Sequence, residues 1–171
     1  MVRIYGPNPA NAQDDVLRPF PLMHFTAAVG TMSQNAVYIF KLPQVAAPFL
    51  VTRIGYGVGT AAGNVDAGLC TRVGTDYTRV ASAGSTAAAG SNVMQDLTMT
   101  TPYVYQPGQE LFVTWSTDSA TITILRLNAV FGAWHFDDNA MSVKTSAWSS
   151  GIPASIATPA ATATAIALRL S

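Results

Sequence analysis

From residue 37 onward, apolar and polar positions alternate with a period of two, and no segment repeats its apolar positions convincingly at the helical period. In "VDAGLCTRV", Val65, Ala67, Leu69, Thr71 and Val73 share one face, and Asp66, Gly68, Cys70 and Arg72 share the other, which predicts a half-buried strand. Gly74-Thr75-Asp76 supplies turn residues and "YTRVAS" (77–82) returns, making a hairpin. Further strands are expected at "AVYIFKL" (36–42), "PFLVTRIGYGVG" (48–59) and "VMQDLTM" (93–99). "PYVYQPGQELFVTWST" (102–117) folds about Pro107-Gly108, placed as a type II turn requires. "ATITILRL" (120–127) and "TAIALRLS" at the end complete the set. "AGSTAAAGSN" (83–92) reads as a loop of small residues.

Two stretches break the alternation. Residues 1–36 carry Pro7, Pro9, Pro19 and Pro21, which fix φ and remove donors, so an extended, irregular arm is expected. Its large apolar groups, Ile4, Tyr5, Leu17, Phe20, Leu22, Met23 and Phe25, are too many for a solvated tail. Residues 1 to about 30 are expected to pack against a neighbouring chain more than against their own domain. Residues 128–160 form a less regular excursion before a final strand at 164–170. About eight short strands, with the last returning after a long detour, predict an all-β antiparallel sandwich of jelly-roll type over residues 37–171.

Composition changes the picture at the surface. The chain of 171 residues is 49% hydrophobic and only 11% charged, with zero formal net charge. An average protein is about 25% charged, and the deficit falls on the surface because charges are rarely buried. Either the surface is built of Ala, Thr, Ser and Gly, or, as expected here, much of it is covered by other subunits, since charge is depleted where partners meet. The nine Lys and Arg residues form no basic stripe, so no nucleic-acid partner is expected. Cys70 is the single cysteine, which leaves no disulfide framework. Neither a secretory leader nor an apolar run of membrane-spanning length is seen, so no membrane association is expected and synthesis in a reducing cytoplasm is.

Candidate chemistry is sparse. "GYGVGTAAGN" (55–64) lacks the spacing, the following helix and the Lys-Ser/Thr of a nucleotide loop, so a loop or bulge is expected there. His135, Asp137 and Asp138 crowd together, but three converging metal ligands are not assembled, and a turn capped by Asp side chains is the better reading. Cys70 in an alternating strand reads as a small packed residue, and the acids, Asp66 among them, are read mostly as turn residues. No nucleophile elbow is present, so neither catalytic, metal nor cofactor-binding residues are assigned, and a non-enzymatic protein is expected. Trp134, Phe136 and Trp148 in the excursion are a candidate aromatic platform for a sugar ring or a protein neighbour, with core filling under a long loop as the other reading.

The run "VDAGLCTRVGTDYTRVASAGSTAAAGSN", followed by "YVYQPGQELFVTWSTDSATITILRL", resembles the jelly-roll modules of tailed-bacteriophage virion proteins. The resemblance covers about residues 48–127, with Cys70 where those modules often have an aromatic residue and Trp115 where Tyr is commoner. It implies a virion structural protein assembled in the host cytoplasm, commonly a homotrimer. A capsid decoration (cement) protein that binds neighbouring capsid subunits is the first expectation. A receptor- or carbohydrate-binding module of a tail fibre is the alternative.

Overall fold

A computed structural model describes residues 28–126, 142–145, 151–157, 160–161 and 168–170. Nine strands occupy residues 28–126: β1 (Ala28–Thr31), β2 (Ala36–Lys41), β3 (Phe49–Thr60), β4 (Asn64–Val73), β5 (Asp76–Ser82), β6 (Thr86–Ala87), β7 (Ser91–Tyr105), β8 (Phe112–Thr117) and β9 (Thr123–Arg126). Beyond them lie β10 (Ser142–Thr145), β11 (Ser155–Ile156), β12 (Ala160–Ala161) and β13 (Leu168–Leu170). The first sheet runs β1-β9-β3 with β7 on the far edge of β3, and β13 also pairs with β3. The second runs β11-β5-β4-β8-β2-β10-β12, with β6 on one end of β4.

Setting β6 aside, the eight principal strands up to β9 divide as β1-β9-β3-β7 and β5-β4-β8-β2, all pairs antiparallel. That order is a jelly roll: the chain passes between sheets at every connection except the β4–β5 hairpin. The expected architecture is therefore present, but its bounding strands differ from the reading of the sequence. The Greek-key return is made by β9, whereas β13 adds three residues beside β3. The opening strand is β1, which lies within the stretch expected to be irregular arm and pairs Ala28–Thr31 with Arg126–Thr123 of its own chain. Four residues without Pro suffice for that pairing, although they are too short to show a period in the sequence.

The core fills the space between the sheets. Trp115 is fully buried, its ring 5.6 Å from Tyr56 and 6.2 Å from Tyr38, among Phe40, Ile54, Leu69, Leu97 and Leu111. Burying the Tyr56 hydroxyl is offset by its donation to Gln95 Oε1 at 2.6 Å, and Tyr105 donates to the Pro43 carbonyl at 2.9 Å. The Pro107-Gly108 turn forms as expected, with Gly108 at φ +77° and Gln109 N–H donating to Gln106 O.

Three local expectations are corrected. The stretch 83–92 is not wholly loop, because β6 pairs with Asn64–Val65 and β7 begins at Ser91. "GYGVGTAAGN" divides: Gly55–Thr60 belongs to β3, in keeping with the strand expected at 48–59, residues 61–63 alone are loop, and a register shift against β9 falls between Val58 and Thr60. A Cβ on Gly57 would lie 2.6 Å from Leu125 Cβ, and one on Gly59 2.7 Å from Val29 Cγ1. The glycines thus let β9 and β1 close tightly over β3. Third, β4 is not half-buried: Val65 to Cys70 are all buried, on both faces.

Candidate functional site

Both faces of β4 are covered because the second sheet carries a further layer. Val37, Ile39, Cys70, Tyr77 and Phe112 point away from the main core and pack beneath Ile152 and Ile156. Residues 151–157 form a clip over this outer face, and β11 pairs Ser155 and Ile156 with Thr78 and Tyr77 of β5.

Polar links fix the clip. Ile152 N–H donates to Asp66 Oδ2 at 2.9 Å, and Arg79 donates through Nη1 to the Ile152 carbonyl and through its backbone N–H to Ala154 O. Gly151 adopts φ +115°, and a Cβ there would lie 2.4 Å from Asp66 Oδ2, so the chain reaches Asp66 only with glycine at this position. Asp66 is completely buried, and its Oδ1 has no hydrogen-bond partner among the described residues. Burial pushes its carboxyl above the usual range, while the Ile152 amide and the Arg79 charge pull it back in part.

Cys70 lies on the same face, sealed from solvent, with Thr114 Oγ1 at 4.0 Å. Burial pushes its thiol up to about 12, the opposite of the activation a nucleophile needs. Chemically, the Asp66–Arg79 arrangement grips a backbone segment, and Cys70 packs.

Asp118 sits at a turn, as is expected of most of the acids. Its carboxylate accepts Asn64 N–H at 2.6 Å and Asn64 Nδ2 at 2.7 Å, tying the β8–β9 connection to the start of β4. Asp66 departs from that expectation and lies within β4. Its strand face, Asp66, Gly68, Cys70 and Arg72, carries two charges in four positions and gives no sign that a second layer covers it.

The outward face of the first sheet contrasts with the clipped one. Across its four strands, Met94 stands opposite Gly57, Leu125 crosses Gly57, and Val29 stands opposite Leu125, giving an apolar row. Further along β3 and β7, Leu50 and Val104 face each other, 52% and 45% exposed. Of the large exposed hydrophobic residues among those described, Val29, Leu50, Val93, Met94 and Val104 all belong to this sheet, whereas only Val73 and Val80 lie on the β4–β5 hairpin.

The residues singled out in the sequence lie elsewhere. Ile4, Tyr5, Leu17, Phe20, Leu22 and Phe25 of the arm fall outside the described residues, as do Trp134, Phe136 and Trp148 and the His135–Asp138 cluster. Among the described residues no group of acidic, His or Cys side chains is placed to hold a metal ion, and no helix is long and apolar enough to cross a membrane. Comparison with protein-family models, curated proteins and solved structures finds no match.

Proposed function

We propose that this chain is a non-enzymatic structural subunit of a bacteriophage virion, a capsid decoration protein that binds neighbouring capsid subunits and stabilises the particle. The observation that carries the assembly role is the unequal treatment of the two outer faces. One is closed by the chain's own clip, and the other presents Leu50, Val104, Met94 and Val29 on a charge-poor chain. The bacteriophage setting rests on the resemblance of residues 48–127 to virion jelly-roll modules. In this reading the arm, with Ile4, Tyr5, Leu17, Phe20, Leu22 and Phe25, reaches an adjoining subunit.

A subunit that links its neighbours adds its binding free energy to the stability of the shell. Particles lacking the protein are expected to disrupt at lower temperature or milder osmotic shock while still adsorbing to cells. Particles of unchanged robustness that fail to adsorb would instead assign it to a tail fibre as a receptor- or carbohydrate-binding module. The double replacement of Trp134 and Trp148 by Ala would then abolish glycan binding.

A further inference from the structure

We propose that residues 151–157 are a latch on the outer face of the second sheet, shut while Asp66 is neutral and released, without unfolding of the sandwich, when Asp66 ionises. The construction of the clip carries this. The apolar layer beneath it, closed by Ile152 and Ile156, is a cluster of its own, and the main core between the sheets contains no clip residue. Lifting the clip therefore leaves the main core and the β5-β4-β8-β2 pairing in place. Its hold on the sheet is short. β11 is two residues long, Pro153 has no amide proton to give, and Ala154, Ser155 and Ala157 are exposed.

Asp66 is the catch. Its Oδ2 accepts the Ile152 amide, its Oδ1 has no hydrogen-bond partner among the described residues, and the side chain is wholly buried. An anion there lacks the donors it needs away from water, and lifting Gly151 and Ile152 off it opens the carboxylate to solvent. Few ionisable groups act on it. Arg79 of β5 attracts the anion, but its Nη1 is given to the Ile152 carbonyl. Cys70, on the same strand, is held as a neutral thiol. Across the ladder β8 presents Ser116, and residues 151–157 carry no ionisable side chain. Burial raises the carboxyl above its ordinary 3.8 by more than the Ile152 amide and Arg79 lower it. The latch is then held fully below pH 3.8 and loosens as pH rises through the native value. Once it opens, the outer apolar layer and the edge of β5 are bared together. The latch does not depend on the virion reading.

Hydrogen exchange in the full chain tests the latch, read at each pH as protection relative to the unfolded chain. At neutral pH the amides of residues 151–157 are expected to be less protected than those of β8, because the clip opens on its own. From about pH 4 to about pH 7 clip protection is expected to fall at least about threefold in the wild-type protein and to stay level in Asp66→Asn. Clip amides as protected as β8 at neutral pH would mean that the clip opens only with the whole fold, and would overturn the proposal. So would clip protection that stays level in the wild type, or that falls equally in Asp66→Asn. Should that variant fail to fold, the wild-type Cys70 supplies the second measurement, since the clip seals it. Its labelling by dithiodipyridine, divided by the rate in the urea-unfolded chain at the same pH, is expected to rise over the same range, and an unchanged ratio would overturn the proposal.

Discussion

A single buried carboxylate governs the most distinctive local chemistry of the fold. The folded-state pKa of Asp66 is raised above its ordinary 3.8, so the native state holds the proton more tightly than the unfolded chain. Its contribution to stability is therefore full below pH 3.8 and is lost as pH rises through the raised native value. Asp66→Asn stays neutral throughout. Urea unfolding from acid to neutral pH is expected to show the wild-type protein losing stability relative to this variant, and parallel curves would refute the idea. Asp66→Ala should be worse than Asn at every pH, by about 1–3 kcal/mol, because the Ile152 amide then loses its acceptor. None of this could be read from a strand in which Asp66 occupied a nominally solvent-facing position. Alternation establishes that two faces exist, but it does not say whether a second layer covers the outer one.

The elements that carry clear alternation were legible, and those defined by contact were not. β2, β3, β4, β5 and β8 lie close to where the pattern puts them, and Pro107-Gly108 turns as its residue types dictate. β1 and β11 are short and owe their existence to partners distant in sequence, β9 and β5. Glycines misled for a related reason. In "GYGVG" they read as loop or bulge, yet they are the means by which Leu125 and Val29 close over β3. Gly57→Ala should accordingly destabilise the protein by about 1–3 kcal/mol, an overpacking cost. Adding Leu125→Gly, which removes the Cβ that the new methyl group meets, should recover part of that loss in a double-mutant cycle, and strict additivity would show that the two do not touch. The clip has its own probe. Ile152→Ala removes the side chain that plugs the outer layer, at a cost of about 2–5 kcal/mol. If the clip is what seals Cys70, the variant's native thiol should react with a maleimide well before global unfolding, and a thiol still silent under those conditions would show otherwise.

On the scale of the whole molecule, the jelly-roll class was readable because many short strands with turn signals between them leave few alternatives. The site was not, because every residue singled out for it lies outside the described residues, and the exposed apolar pairs emerge only once β3 and β7 are placed in register. Under the proposed function the chain is expected to form a homotrimer, and a clean monomer by light scattering at micromolar concentration would exclude it. The pairing of β1 with β9 also bears on how the protein is made. Thr31 bonds across to Thr123, so the opening strand leaves the ribosome long before its partner has been translated. At roughly 5–20 residues per second, that wait is on the order of 5–20 s, during which the first sheet cannot close. The nascent chain must hold Val29 and the apolar residues before it away from other nascent chains throughout, so the yield of folded protein should depend on chaperone supply and translation speed more than on the stability of the finished fold.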